Sequence, residues 1–340
     1  MNQIAKEWQD YEVIDTGNKE KLERWKNIIL IRPDPQIIWS KKEKWNSFDG
    51  HYHRSKEGGG SWEFKKKLPE YWTVNYNDLT FKVSPTNFKH TGIFPEQAAN
   101  WDFIQAKVKE YKENHNEMKV LNLFAYTGCA SMAASSAGAD EVVHVDASKG
   151  INEWAKENMK LCHLENNKIR FITEDTIKFL EREQRRGRKY EGIIMDPPSY
   201  GRGPNKEVWK FEDDFSNLLD NVKKVLSDDF SFLLISCYTT GISHISLENI
   251  LKQNADLNFK VVALSIDEEE QDWKGFLYKK QFSYAHYLIP NGAKKDSLSI
   301  DIALQTVPRL MVVNDKGDVL QGRSESLESA IAFIRSMDKK

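Results

Sequence analysis

The chain has 340 residues, of which 40% are hydrophobic and 29% charged, with a formal net charge of -2. This length and composition suit one large folded domain with a smaller companion and exclude extensive disorder away from the ends. The balanced charge excludes a protein that holds nucleic acid by overall basicity and leaves that role to local patches.

The three cysteines, Cys129, Cys162 and Cys237, form no CxxC pair. A reduced cytoplasmic protein without structural metal is expected from such usage. The amino terminus lacks an apolar signal core, and no apolar run approaches membrane-spanning length, so no membrane partner is expected.

In chain order, residues 1–90 carry short segments at Ile28 to Ile31, Ile37 to Trp39, Trp62 to Phe64, Trp72 to Tyr76 and Leu79 to Val83. Breakers at Arg32 to Pro35, Gly58 to Gly60 and Asn77-Asp78 separate them, which predicts a small β-rich amino-terminal domain. Its tryptophans (Trp8, Trp25, Trp39, Trp45, Trp62 and Trp72) lie near Lys41, Lys42, Lys44 and Lys65 to Lys67. They form either a base-stacking, phosphate-facing surface or the core of a small barrel with a lysine rim.

The turn from His90 to Gln97 leads into a helix from Ala98 to about Asn114, so Glu96 and Gln97 either face a cofactor or cap the helix. From Val120 onward strands alternate with helices. The predicted strands are 119–124, 141–145, 168–173, 190–195, 229–236, 258–265 and 279–288, and the helices between them 129–137, 149–162, 175–187, 212–227 and 243–255. The fold class is therefore α/β, a Rossmann-like, seven-stranded doubly wound sheet over residues 91–290. Residues 291–340 predict a hairpin at Leu310 to Val313 and Val319-Leu320, then a helix from Leu327 to Met337.

Ligands bind such sheets at the carboxyl ends of the strands. After the first strand, Phe124-Ala125-Tyr126-Thr127-Gly128 has one glycine where a dinucleotide turn needs three, which argues against NAD or FAD. Asp146 ends the second strand, where an acid accepts ribose hydroxyls; the alternative is a cap for the helix starting near Lys149. Asp175 follows the third, as an acceptor for an adenine amine or again as a cap.

The fourth strand runs into Asp196-Pro197-Pro198-Ser199-Tyr200, where two prolines remove amide donors and leave carbonyls for a substrate amino group. After the fifth comes Ser236-Cys237, with Cys237 either a nucleophile or an ordinary buried thiol. Arg182, Arg185, Arg186 and Arg188 with Lys189 end a helix, where basic residues complement its dipole or contact phosphates. Arg202 and Lys206 are better placed for phosphates, and the acidic run from Asp267 to Glu270 repels them.

In order and spacing, the stretch Leu121 to Gly128, Asp146, Glu174-Asp175 and Asp196 to Tyr200 resembles class I S-adenosylmethionine-dependent methyltransferases. With Asn122 to Gly128, the residues Thr91, Gly92, Phe94 and Gln97 are similar to the bacterial 23S ribosomal RNA methyltransferases that make 5-methylcytosine or 7-methylguanine. The resemblance implies S-adenosyl-L-methionine as cofactor and S-adenosyl-L-homocysteine as product.

It also implies site roles. Asn122 and Phe124 to Gly128 surround the methionine moiety, Asp146 with Ala147 the ribose, and Asp175 the adenine. Thr91, Phe94 and Gln97 close the pocket, and Asp196 borders both cofactor and acceptor. Cys237 then adds to cytosine carbon 6 to activate carbon 5, with Asp196 and Tyr200 at the base; the alternative is methylation of a guanine or adenine nitrogen. A PUA module is not evident, which leaves RNA docking to the β-rich domain. A non-catalytic RNA-binding protein that keeps this fold is the reading from another class.

Overall fold

Two polar strands absent from the alternation pattern open the structure. In the computed structural model, which describes residues 5, 7–55, 59–86, 89–205, 207–239, 242, 246–247, 250–251, 310–313 and 319–324, they are β1 (Tyr11–Gly17) and β2 (Glu20–Trp25). Asn18 and Lys19 connect them with φ of 54° and 66°, the left-handed two-residue turn that matches strand twist. The backbone carbonyls of Trp39 and Ile37 receive the amides of Asn18 and Lys19 at 2.7 and 2.6 Å. The segment expected as a strand at Ile37 to Trp39 therefore braces this turn and pairs with no strand.

With β3 (Ile28–Pro33), β4 (Gly50–Arg54) and β5 (Gly60–Phe64) the strands form a sheet in sequence order, antiparallel except for the parallel β3–β4 pair. β6 (Trp72–Tyr76) and β7 (Leu79–Val83) make a separate hairpin that turns at Asn77 and Asp78.

The tryptophans belong to the interior and its edge. Trp25 and Trp72 are buried, and the half-buried Trp8, Trp39, Trp45 and Trp62 donate their indole N–H groups to Pro95, Thr16, Asp15 and Thr86. Trp25 and Trp72 thus belong to the core, as the core alternative expects, and the other four commit their indole N–H groups within the chain.

At the centre of the sheet, the buried carboxylate of Glu23 receives Arg32 Nε at 2.5 Å, Arg32 Nη2 at 2.8 Å and the Tyr11 hydroxyl at 2.7 Å. Burial alone raises a carboxyl pKa, but Arg32 and then Lys21 overcome it and hold Glu23 at about 2.

After a 3-10 turn at Pro95–Gln97, α1 (Ala98–Lys112) buries Trp101, Ile104 and Val108 along one stripe. The second half follows as β8 (Lys119–Leu123), α2 (Cys129–Ser136), β9 (Glu141–Asp146), α3 (Lys149–Leu161), β10 (Ile169–Thr173), α4 (Thr176–Arg185) and β11 (Gly192–Met195). A short hairpin, β12 (Tyr200–Arg202) and β13 (Val208–Lys210), precedes α5 (Phe211–Val225) and β14 (Phe232–Ile235). The main sheet is parallel throughout, in the order β10-β9-β8-β11-β14. The strand order reverses between β8 and β11, which opens a crevice at their carboxyl ends.

Five of the seven expected strands are thus in place. The segments 258–265 and 279–288, the acidic run 267–270 and the helix 327–337 lie outside the described residues. So does most of the expected helix 243–255, whose described residues 246–247 and 250–251 are helical. By compactness the chain divides into Met1–Cys237 and Tyr238–Lys340. In the second unit, β15 (Leu310–Val313) pairs antiparallel with β16 (Val319–Ser324), the expected hairpin. Among the described residues, no helix is long and apolar enough to cross a membrane.

The Glu23 carboxylate contributes stability that is complete above about pH 4.5, its ordinary pKa, and is lost as pH falls towards 2. Glu23→Gln strands a buried guanidinium and is expected to lower the unfolding free energy at pH 7 by on the order of 3 kcal/mol in urea titration. A change below about 0.5 kcal/mol would show that Arg32 is not left as an uncompensated buried charge.

Candidate functional site

The turn after β8 is built from residues that resist its conformation. Phe124 and Tyr126 have φ of 55° and 49°, and Gly128 has 86°, so three of its five residues are left-handed. For a residue with a Cβ this costs about 1–2 kcal/mol, and neighbouring contacts must hold it. Tyr126 N donates to Asp146 Oδ2 at 2.9 Å, Ala125 N to Val145 O at 3.0 Å, and Gly128 N to Ala125 O at 3.0 Å. Thr127 is anchored twice: its hydroxyl donates to Gly92 O at 2.5 Å, and its carbonyl accepts from Asn158 Nδ2 at 2.8 Å.

Gly92 itself is required there. Its φ is 102°, and a Cβ would lie 2.3 Å from the Trp154 ring. Below the turn, Asn122 Nδ2 donates to Ser131 Oγ at 2.9 Å, and Ser131 Oγ meets His144 Nδ1 at 3.0 Å. If Ser131 accepts from Asn122 its proton goes to Nδ1, which places the His144 proton on Nε2. Burial pushes the His144 pKa down to about 3, so this polar chain under the turn is neutral.

The turn forms one wall of a cavity that opens to solvent. Phe94, Gln97, Asn122, Phe124, Ala125, Tyr126, Thr127, Gly128 and Asp196 all line it. Asp146 stands behind the turn through its bond to Tyr126, and its other oxygen, Oδ1, accepts from Ser148 N at 2.9 Å. Burial raises the Asp146 pKa, opposed by those two amides. The cap of α3 is Ser148, whose hydroxyl accepts from Ile151 N, so the capping alternative for Asp146 does not hold.

Other expected residues sit outside this cavity. Asp175 is the cap of α4, accepting Lys178 N at 3.1 Å; Ala147 follows Asp146; and Thr91 is buried with its hydroxyl lacking a partner among the described residues. Tyr200 lies on β12, 53% exposed, and Cys237 is half-buried one residue beyond the lining residue Ser236. The cavity also takes Ile93, Asn100, Trp101, Ile104, Cys129, Ala130, Ile194 and Leu234. Asn100 was legible only once α1 was aligned with the strand ends: its Nδ2 donates to Gln97 Oε1 at 2.6 Å and faces Ser236 Oγ at 3.4 Å.

Asp196 carries the site's distinctive electrostatics. Burial, with Glu96 adding to it, pushes its pKa up to about 7. Its Oδ1 is buried and has no hydrogen-bond partner among the described residues. The prolines after it are fixed by Trp209, whose indole donates to Pro198 O at 2.6 Å and packs 5.1 Å from Phe124.

Three of the four arginines of the cluster form ion pairs: Arg182 with Glu174, Arg186 with Glu183, and Arg188 with Glu141 and Glu183. That agrees with the helix-end alternative. Arg202 is exposed, and Lys206 lies outside the described residues.

Comparisons with known proteins agree with one another. The family model for S-adenosylmethionine-dependent methyltransferase matches residues 40–263. The ribosomal RNA large subunit methyltransferase K/L of Pseudoalteromonas translucida is 34% identical over 148 residues, 43% of this chain and 20% of that protein. The ribosomal RNA large subunit methyltransferase K of Neisseria meningitidis is 26% identical over 174 residues, 51% of this chain and 47% of that protein. The chain thus spans about a fifth to about half the length of these curated relatives.

Among solved structures, the SAM-dependent methyltransferase from Agrobacterium tumefaciens is 38% identical with a TM-score of 0.68, covering 72% of this chain and 78% of that one. A protein solved in complex with S-adenosylhomocysteine shares the fold at 19% identity and a TM-score of 0.61, over 76% of this chain and 69% of that one.

The raised Asp196 pKa has a stability consequence. The folded state holds this proton more tightly than the unfolded one, so the penalty for burying the charge is absent below about pH 4 and complete above about pH 7. Asp196→Asn should therefore raise the unfolding free energy by roughly 2 kcal/mol at pH 8, after allowance for the residue's partial exposure, and by much less at pH 5. Equal effects at both values would mean that the carboxyl titrates as an exposed one does.

Proposed function

Because the chain belongs to the S-adenosylmethionine-dependent methyltransferase family, we propose that it methylates a base in RNA, with ribosomal RNA as the first substrate to test. Its cofactor, S-adenosylmethionine, supplies an electrophilic methyl group carried on a sulfonium. The cavity suits that ligand in the apolar and polar groups that line it. Phe124 to Gly128 and Asn122 surround the methionine part, while Phe94 and Gln97 close the side, backed by Thr91. Each Asp146 oxygen accepts one amide and keeps capacity for a ribose hydroxyl. Ala147 borders the ribose, and Asp175 retains one carboxylate oxygen for the adenine amine.

RNA as acceptor is supported by the names of the curated relatives. It is supported too by a groove on the amino-terminal unit lined by Lys26, Lys66, Lys67 and Tyr71, the last 49% exposed. Lysines beside an aromatic edge suit phosphates and unstacked bases.

At the acceptor end, methylation of a ring nitrogen is carried by one observation: the unpartnered Oδ1 of Asp196 on the cavity wall. A carboxyl with a pKa near the working pH is an efficient general base. Asp196 would take the proton of the attacking nitrogen or orient the base through it. The Pro198 carbonyl is occupied by Trp209, which leaves that of Pro197 for an exocyclic amine, and Tyr200 is exposed for stacking on the base.

Methylation of cytosine carbon 5 through a Cys237 adduct is favoured by a different observation: Ser236 lines the cavity and Cys237 follows it directly. Ser236 is on the cavity wall, and Cys237 is half-buried next to it in sequence.

Transfer of labelled methyl groups to RNA from a strain lacking the protein, followed by nucleoside mapping, tests the proposal. A labelled ring-nitrogen base is expected, and no labelled RNA would overturn the RNA assignment. Asp146→Ala is expected to weaken S-adenosylhomocysteine binding about tenfold in calorimetry. Asp196→Asn should cut methyl transfer by about 100-fold or more while leaving that binding within about threefold. Since the carboxylate is the active form, transfer should rise with pH through about 7. Full activity of Cys237→Ala would support nitrogen methylation; abolished activity together with a lost covalent RNA adduct would support carbon 5.

A further inference from the structure

We propose that His51, His53 and Glu63 form a binding site for a divalent transition metal of the zinc class, on the amino-terminal sheet and independent of methyl transfer. The two histidines alternate along β4 and so project from one face of the sheet. Their rings lie with centroids 4.0 Å apart. Across the antiparallel β4–β5 pairing, Glu63 is the register partner of His51, and its Oε2 lies 2.8 Å from His53 Nε2.

One ligand atom from each of the three lies within 4.8 Å of the others. Tetrahedral zinc with bonds near 2.0–2.1 Å needs ligand atoms about 3.3 Å apart. Small side-chain rotations on a fixed backbone close that difference.

Imidazole with carboxylate is the donor set that zinc-class ions take, whereas magnesium and calcium prefer oxygen alone. Glu20, on β2, meets His51 Nε2 at 2.5 Å and Lys41 Nζ at 2.6 Å. It orients the imidazole and adds negative charge beside the site, as partners of metal-binding histidines do. His53 and Glu63 have side chains 48% and 55% exposed, so an ion can enter and keep a solvent-facing position. Bound there, it would clamp the β4–β5 hairpin.

Zinc chloride titrated into the full chain after chelator treatment tests the site, read by calorimetry and by the shift in melting temperature. One zinc per chain is expected to bind and raise the melting temperature. His53→Ala and Glu63→Gln, both at exposed positions, should weaken that binding at least tenfold, while His115→Gln, at a histidine elsewhere on the surface, leaves it unchanged. Absence of stoichiometric binding to the wild type, or equal binding by His53→Ala and Glu63→Gln, would overturn the proposal.

Discussion

The structure depends on the backbone of Phe124 to Gly128 being held where side-chain residues rarely go. A relaxed chain would release the left-handed Phe124 and Tyr126, and the cavity wall would go with them. The Asp146 carboxylate holds the middle of the turn through Tyr126 N, so the acid at the end of β9 shapes the site before it touches any ligand. That structural use accounts for an acid at the tip of an apolar strand: the carboxylate is partly desolvated, which raises its pKa, and the amides of Tyr126 and Ser148 offset part of the cost.

The second anchor comes from outside the main sheet. Thr127 is tied to Gly92 and to Asn158, and Asn158 in turn accepts the amide of Lys82 on β7. Trp154 from α3 donates to Lys82 O and occupies the space beside Gly92 that a Cβ would fill. The β6–β7 hairpin, α3 and the turn are therefore one hydrogen-bonded assembly. Buried pairing deeper in the amino-terminal sheet, at Glu23 and Arg32, gives that sheet a rigid charged centre; Arg32 also reaches Lys89 O, a few residues before Gly92.

Most of the parallel sheet was legible because its strands are short, mainly apolar runs between glycine turns and capped helices: Val120 to Leu123, Val142 to Val145 and Ile193 to Met195 carry only Asn122 and His144 as polar residues, both buried. β1 and β2 were not, since Tyr11 to Gly17 and Glu20 to Trp25 are rich in charge and their turn, Asn18-Lys19, lacks the usual glycine. The hairpin after Asp196 was hidden by its length, three residues a side, around a buried Trp209.

In the site, the loop residues could be read because strand ends are fixed points of such a sheet. Asn100, Trp101 and Ile104 could not, because which stripe of α1 meets the crevice is decided by packing. Asp175 shows the opposite limit: an acid before a helix reads equally as a ligand and as a cap, and the structure assigns the cap while leaving one oxygen for the role proposed above.

The central claim is that the left-handed turn and its anchors form the cofactor's seat. Amide hydrogen exchange of the full chain, with and without S-adenosylhomocysteine, measures this most directly. Protection should rise at Phe94 to Asn100, at Asn122 to Gly128 and at Ser148. Protection that leaves Asn122 to Gly128 unchanged while another segment slows would contradict the account.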